Sequence, residues 1–248
     1  MAGAESGRRL LSVLLSFSER RPLWTVTELS AELGMGTSMI YRYVALLREV
    51  GLVDKAENNQ YRLTDLAAAL AGAATAGRTP IGAVAMPVIT RIRDTVDETV
   101  LVARRSGWRV YTVDRVESRR PVRLQFEPGR AMDLHTGALS RVLLAAMPAE
   151  DRLSFLAQLS AEERARSSLE AGELDRVLAD GYAESFEEID EGIWGVAAPV
   201  LADGTVHGAL GVAAPLFRTD EARRRSIREL VLAGAGEVSA LLQRGTPG

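Results

Sequence analysis

Residues 25–63 read TVTELSAELGMGTSMIYRYVALLREVGLVDKAENNQYRL, and this stretch decides the fold. Thr25 and Glu28 stand at capping-box spacing, which satisfies two orphan N–H groups at a helix start. Val26, Leu29 and Leu33 then fall on one helical face. Gly34-Met35-Gly36 is short and permissive, so it reads as a turn. A second helix, Thr37 to Val50, places Ile40, Val44 and Leu47 on one side. Ser38, Tyr41, Arg42 and Ala45 take the other. Gly51 suits the helix C-terminus. Leu52 to Leu63 reads as two short strands around Asn58-Asn59, a pair that tolerates a left-handed turn.

Helix, turn, helix and hairpin in this order is the layout of a winged helix-turn-helix, whose second helix lies in the DNA major groove. The candidate base-reading residues are Thr37, Ser38, Tyr41 and Arg42. Hydroxyls exchange hydrogen bonds with base edges, and a guanidinium grips guanine or phosphate. Lys55, Asn58, Asn59 and Arg62 lie on or near the wing, where backbone and minor groove are in reach. The competing reading is a small helical interaction module whose polar face is only solvated.

The chain has 248 residues, enough for one large domain or two ordinary ones. Its 47% hydrophobic and 25% charged residues are those of a globular protein. With no cysteine, disulfides and thiolate metal sites are excluded, which fits a reducing cytoplasm. The N-terminus lacks the apolar run of a signal peptide. No stretch reaches membrane-spanning length, because Arg78 and Pro80 cut the Ala-rich region 67–88. The net charge is −3, with +1 over residues 1–63 (eight Lys/Arg, seven Asp/Glu) and −4 beyond. That asymmetry is too mild to argue for nucleic acid, so the DNA reading rests on the motif. Lys55 is the one lysine among 30 basic residues.

Outward from the motif, residues 7–18 read as a first helix with Leu10, Leu11, Leu14 and Phe17 as its apolar stripe. An Ala-rich helix follows the wing, started by Thr64 or Asp65. The run from Thr75 to Pro80 is the boundary candidate. A helix from Ile81 to Val96 is expected to kink or start at Pro87. Periodicity then changes. Glu98–Arg104 and Trp108–Val116 read as a hairpin, and Pro121–Phe126 as a third strand. Thr136–Ala146 reads as a helix, and residues 149–159 and 170–180 as surface helices. Ile193–Leu201 and Thr205–Ala213 flank Asp203-Gly204, a hairpin signal. A long helix, Asp220 to Gln243, closes the chain. This order disfavours regular βαβ units and favours an antiparallel sheet with flanking helices, an α+β fold.

Catalytic residues are sparse. His135 and His207 stand alone, without the helical partner of a metal site. No serine sits in a nucleophile elbow, and no glycine-rich loop follows a strand. Glu187, Glu188, Asp190 and Glu191 could pair for acid–base work, but such a cluster is expected to face water. Arg223, Arg224 and Arg225 read as the exposed start of the last helix. Neither catalysis, metal nor cofactor is expected.

Several stretches together resemble the IclR family of bacterial transcriptional regulators over nearly the whole chain. They are Glu98-Thr99-Val100; Tyr111 to Ser118; Gly129 and Leu134 to Ala145; Gly181-Tyr182-Ala183; Glu188; Gly192; Val196 to Val200; and Asp203-Gly204. The resemblance implies a winged helix-turn-helix that dimerises (residues 1–75), a linker helix (76–96) and a GAF-like effector domain (97–248). It also implies repression or activation of a double-stranded DNA operator by a catabolic metabolite, with assembly as a homodimer or a dimer of dimers.

The expected effector residues are Met132, His135, Gly137, Ala138, Trp194, Gly195, Gly211 and Ala213, with Trp108 as a further aromatic candidate. The family's Gly-Lys is Ser140-Arg141 here. Some members hold a small keto acid with polar side chains where this chain has Gly195, Gly211 and Ala213. The expected cavity floor is therefore wide and poor in donors, suited to an aromatic or otherwise bulky organic acid. The N–H groups of Gly137 and Ala138 are expected to hold its carboxylate. The alternatives are a small-molecule-binding enzyme and a GAF-type sensor acting on a protein partner.

Overall fold

The computed structural model describes residues 2–18, 21–75, 81–126, 131–167, 169 and 172–245. The chain divides into two compact units, Met1–Arg78 and Thr79–Gly248.

In the first unit, α1 (Ala2–Leu15) precedes a two-residue strand β1 (Trp24–Thr25), then α2 (Val26–Leu33) and α3 (Thr37–Glu49). Strands β2 (Val53–Lys55) and β3 (Gln60–Leu63) follow, then α4 (Asp65–Thr75). The capping box forms: the Glu28 N–H donates to Thr25 Oγ1 at 3.2 Å, and the Thr25 N–H donates to Glu28 Oε2 at 2.8 Å. Asn58 and Asn59 have φ of 54° and 57°, the two left-handed residues that a tight hairpin turn needs. The sheet gains a third strand, in the order β1-β3-β2, because Trp24 pairs with Tyr61. Two residues are too short a strand to leave a periodic signal. Val13, Phe17, Trp24, Leu29, Ile40 and Val44 are among the buried core. Leu11, expected in that core, is exposed together with Leu15, so α1 has a second apolar face.

The second unit opens with α5 (Ile81–Val96), which begins six residues before Pro87 and includes it. Next come β4 (Thr99–Ser106), β5 (Arg109–Val116), β6 (Ala131–Asp133), α6 (Ala138–Ala145), α7 (Ala149–Gln158), α8 (Ala161–Arg166) and α9 (Glu173–Asp180). Strands β7 (Ala183–Phe186), β8 (Ile193–Ala202) and β9 (Thr205–Pro215), a single 3₁₀ turn (Leu216–Arg218) and α10 (Glu221–Gly245) complete it. All six strands pair antiparallel in the order β6-β5-β4-β9-β8-β7.

Alternation sorts the two faces. Val100, Val102, Trp194, Val196, Leu210 and Val212 pack with α5 and α10. Ala103, Val110, Ala197 and Ala209 pack with the cluster built by α6, α7 and α9. The helix expected as a linker therefore contributes Ile81, Ala85, Val88, Ile89 and Ile92 to this core. The proposed boundary run itself, from 76 to 80, lies outside the described residues.

Pro121–Phe126 is not a strand. Its main chain is bound by side chains instead: Thr99 Oγ1 donates to the Leu124 carbonyl (2.8 Å), and Arg218 donates to the Val122 carbonyl (2.9 Å). Arg218 also grips both oxygens of the fully buried Glu98 at 2.7 Å, with Arg223 3.5 Å away. The Glu98 carboxylate holds the Arg218 guanidinium above its usual pKa. Arg223 is therefore not a free surface arginine; it also donates to the Val96 carbonyl.

Candidate functional site

The outward face of α3 is open. Thr37, Ser38, Tyr41 and Arg42 are exposed, as are Lys55, Asn58, Asn59 and Arg62 on the hairpin. Gly36 starts α3 in extended backbone without a side-chain cap, so the N–H groups of Thr37 and Ser38 have no partner within the helix. Among the other described arginines of this unit, Arg8 and Arg9 pair with Glu5 and Arg21 with Glu28, while Arg48 at the end of α3 has no ion pair. Arg42, Lys55 and Arg62 have no ion-pair partner among the described residues. Glu28 is held below its usual pKa, chiefly by the Thr25 backbone N–H it accepts.

The second site lies between the sheet and α6. It has two joined chambers, which share Phe126, Met132, Thr136, Ile189 and Ile193 as walls. The inner chamber has a volume of ≈ 40 Å³ and the outer one ≈ 530 Å³. An apolar cavity of about 150 Å³ takes a benzene ring, so the inner chamber, as it stands, takes only a few atoms.

The reason is a set of three close approaches. A Cβ on Gly211 would lie 2.7 Å from the Val196 carbonyl and 3.1 Å from Leu139 Cδ2. One on Gly195 would lie 3.1 Å from Ser185 Oγ, and one on Gly137 would lie 2.8 Å from Ile189 Cδ1. Each glycine yields its space to a neighbouring side chain. The expected wide floor is corrected on this ground: the glycines are matched by Leu139, Ser185 and Ile189.

The expected effector residues divide accordingly. Gly137, Ala138, Gly195 and Ala213 line the inner chamber, Met132 lines both, and His135 lines the outer one. Gly211 faces the same way but lines neither. Trp194 is fully buried on the opposite face of β8, among the residues packed with α5 and α10. Trp108 stacks on Phe155, with ring centroids 5.4 Å apart. The outer chamber adds Thr112, a residue 3% exposed, whose hydroxyl has no partner among the described residues. Position 112 is two from Val110 on β5 and shares its inward face; that alternation was the available signal.

The acidic cluster departs furthest from expectation. The Glu188 side chain is only 4% exposed and is ion-paired with Arg141, itself 5% exposed. Its other oxygen accepts the Gly137 N–H at 2.9 Å. A carboxylate from within the chain thus occupies the donor expected to hold the effector's acid group. Arg141 also reaches Glu173 at 3.5 Å and the main chain of Glu184. Burying both charges is tolerated because each meets its counter-ion and further hydrogen bonds. An isoleucine inside an acidic run, Ile189, was the sequence trace of a turn that folds inward. Asp97 is held below its usual pKa, chiefly by the Arg119 backbone N–H. Burial pushes Glu117 up, but bonds from Arg123 and Arg115 outweigh it and leave it low. Both carboxylates anchor the 117–126 segment beside the outer chamber, which Leu124, Gln125 and Phe126 help to line.

Comparison with known proteins agrees with both halves. Residues 8–57 match the IclR helix-turn-helix domain, and residues 73–240 match the bacterial transcriptional regulator IclR C-terminal family. The chain is 26% identical over 232 residues to the HTH-type transcriptional regulator KipR of Bacillus subtilis, covering 91% of this chain and 92% of that protein. It is 30% identical over 213 residues to the HTH-type transcriptional regulator Rv1719 of Mycobacterium tuberculosis, covering 84% and 79%. Among solved structures, an IclR homolog from Microbacterium hydrocarbonoxydans complexed with 4-hydroxybenzoate superposes with a TM-score of 0.76 at 20% identity, covering 97% of this chain and 100% of that one. Thermotoga maritima IclR gives 0.69 at 20% identity, covering 97% and 99%. Two family matches, in order along one sequence and covering most of it, settle the assignment: the chain belongs to the IclR family of bacterial transcriptional regulators.

Proposed function

We propose that this regulator reads its operator with α3 and the β2–β3 wing, and that a small molecule in the two-chambered cavity controls that binding. One observation carries the DNA half: Arg42, Lys55 and Arg62 stand exposed and unpaired among the described residues, beside the hydroxyls of Thr37, Ser38 and Tyr41. Cations free of internal carboxylates are available to phosphates and guanine edges. One recognition helix reads only a few base pairs, so a dimer on a pseudo-palindromic site is proposed. The exposed Leu11, Leu15, Leu66 and Leu70 are its candidate surface. A reducing cytoplasm is the proposed compartment for this cysteine-free chain. The relatives are named as regulators, which favours a non-enzymatic role.

For the effector, the outer chamber's ≈ 530 Å³ favours a ring-sized molecule over glyoxylate or pyruvate. Its body rests between Thr112, Met132, His135 and Ile193. If it is an acid, Glu188 denies it the Gly137 donor, and the uncapped first-turn N–H groups of α6 at Ala138 and Leu139 are its remaining backbone anchors. The 4-hydroxybenzoate held by the Microbacterium hydrocarbonoxydans homolog supports the aromatic class. A gel-shift titration against the upstream DNA of the gene, with and without aromatic acids, tests the whole reading. Operator affinity that no aromatic acid alters, but that pyruvate or glyoxylate does, overturns the effector class.

A further inference from the structure

We propose that Ile189 is the size gate of the inner chamber and Glu188 its latch, so that the chamber opens to ring size when the 187–192 turn swings away. This rests on the reading of that cavity as the effector site. Two of the three side chains that close the chamber are fixed by regular structure: Leu139 on α6 and Ser185 on β7. Ile189 is not. It stands at the tip of a turn between two left-handed residues, Glu187 (φ 56°) and Gly192 (φ 72°), and is half exposed while lining both chambers.

The turn is bonded mostly to itself. The Glu187 N–H donates to the Ile193 carbonyl (2.7 Å), the Gly192 N–H donates to Glu187 Oε1 (2.9 Å), and the Glu191 N–H donates to Asp190 Oδ1 (2.9 Å). Such a unit moves as a body about its two ends. Among the described residues, its polar ties to α6 are those of Glu188 alone, to Gly137 and to Arg141. The position of the Ile189 side chain against Gly137 thus depends on one carboxylate. Releasing it uncovers a chamber otherwise lined by Leu101, Ala138, Leu139 and Ala213, an apolar space suited to a ring.

The test measures affinities and association rates of toluene and 4-hydroxybenzoate for the full chain. Ile189→Ala, at a half-exposed position, removes the plug without touching the latch. It is expected to tighten ring binding about tenfold or more, at least the worth of one methylene in an apolar pocket. Glu188→Gln is expected to speed association and release several-fold while Ile189 stays in place. If the unaltered chain binds either ring and Ile189→Ala binds it no better, the gate is overturned and the effector reading stands. If neither form binds either ring, the gate and the cavity reading fall together. If Ile189→Ala tightens binding but Glu188→Gln leaves both rates unchanged, the latch is overturned. Should Glu188→Gln fail to fold, because it leaves Arg141 buried with less counter-charge, Ile189→Ala still decides the gate.

Discussion

Arg42 stands on the outward face of α3, with no counter-ion among the described residues. Arg42→Ala is expected to weaken specific operator binding by about 1–3 kcal/mol and to relax discrimination at one base position. Arg62→Ala on the wing should weaken all sequences more evenly and lower the salt slope by about one. Gel shifts at several salt concentrations separate the two, and an unchanged base preference in Arg42→Ala would show that α3 is not the reading helix. Gly211 works in the opposite direction, as a residue whose lack of a side chain is structural. Gly211→Ala forces a Cβ to 2.7 Å from the Val196 carbonyl, so it should cost about 1–3 kcal/mol, seen as a lower urea midpoint. A bulkier residue there would disrupt the sheet rather than fill a ligand space. Single residues were legible where their chemistry is local. Thr25, Glu28 and the Asn58-Asn59 pair announce their geometry by spacing alone. Gly211, Trp194 and Glu188 do not, because their roles depend on partners tens of residues away: Leu139, the α5–α10 face and Arg141.

Helix α2 is eight residues long, so its ends matter as much as its middle. Its capping box is also a pH-sensitive joint. Glu28 has a depressed folded-state pKa, so its contribution is complete above the unfolded carboxylate range near pH 4.5 and is lost as pH falls through the lower folded value. Thermal melts of Glu28→Ala should therefore show a deficit against the unaltered chain at neutral pH that disappears in strong acid. A deficit independent of pH would mean that the side chain acts by packing. Elements with strong periodicity were readable from sequence: α2, α3, the β4–β5 and β8–β9 hairpins, and α10. The strands that were missed are β1, β6 and β7, of two, three and four residues, and the six-residue helix α8 was missed with them. Strands so short have no alternation to detect and exist because a neighbour offers an open edge. Pro87 does not start α5, which begins at Ile81. Its ring removes one hydrogen bond, but burial of Ile81, Ala85, Val88, Ile89 and Ile92 along one stripe outweighs that loss.

At the scale of the molecule, the first unit leaves Leu11 and Leu15 exposed on α1, and Leu66 and Leu70 on α4. Four large apolar side chains on two helix surfaces are costly to leave in water, at about 0.8 kcal/mol per methylene. Leu15→Glu is expected to shift the chain toward monomer in light scattering at micromolar concentration, and to weaken operator binding with it. A chain that is already monomeric before the change would remove the proposed two-fold reading of DNA.

The strand order of the second unit has a consequence for how the chain is made. Its six strands are two consecutive groups of three, β4 to β6 and β7 to β9, and the seam between them joins the first strand of one to the last strand of the other. As the ribosome releases the chain, the edge of β4 stays unpaired until β9 emerges, well after β6 has left the exit tunnel. At about 5–20 residues per second, this is a delay of several seconds. Throughout it, Val100 and Val102 present an apolar strand with free main-chain donors and acceptors, a template for pairing with any neighbouring nascent chain. The burden on the cell's chaperones falls in that interval, and the buried Glu98 has no arginine from beyond β9 to meet until the interval ends.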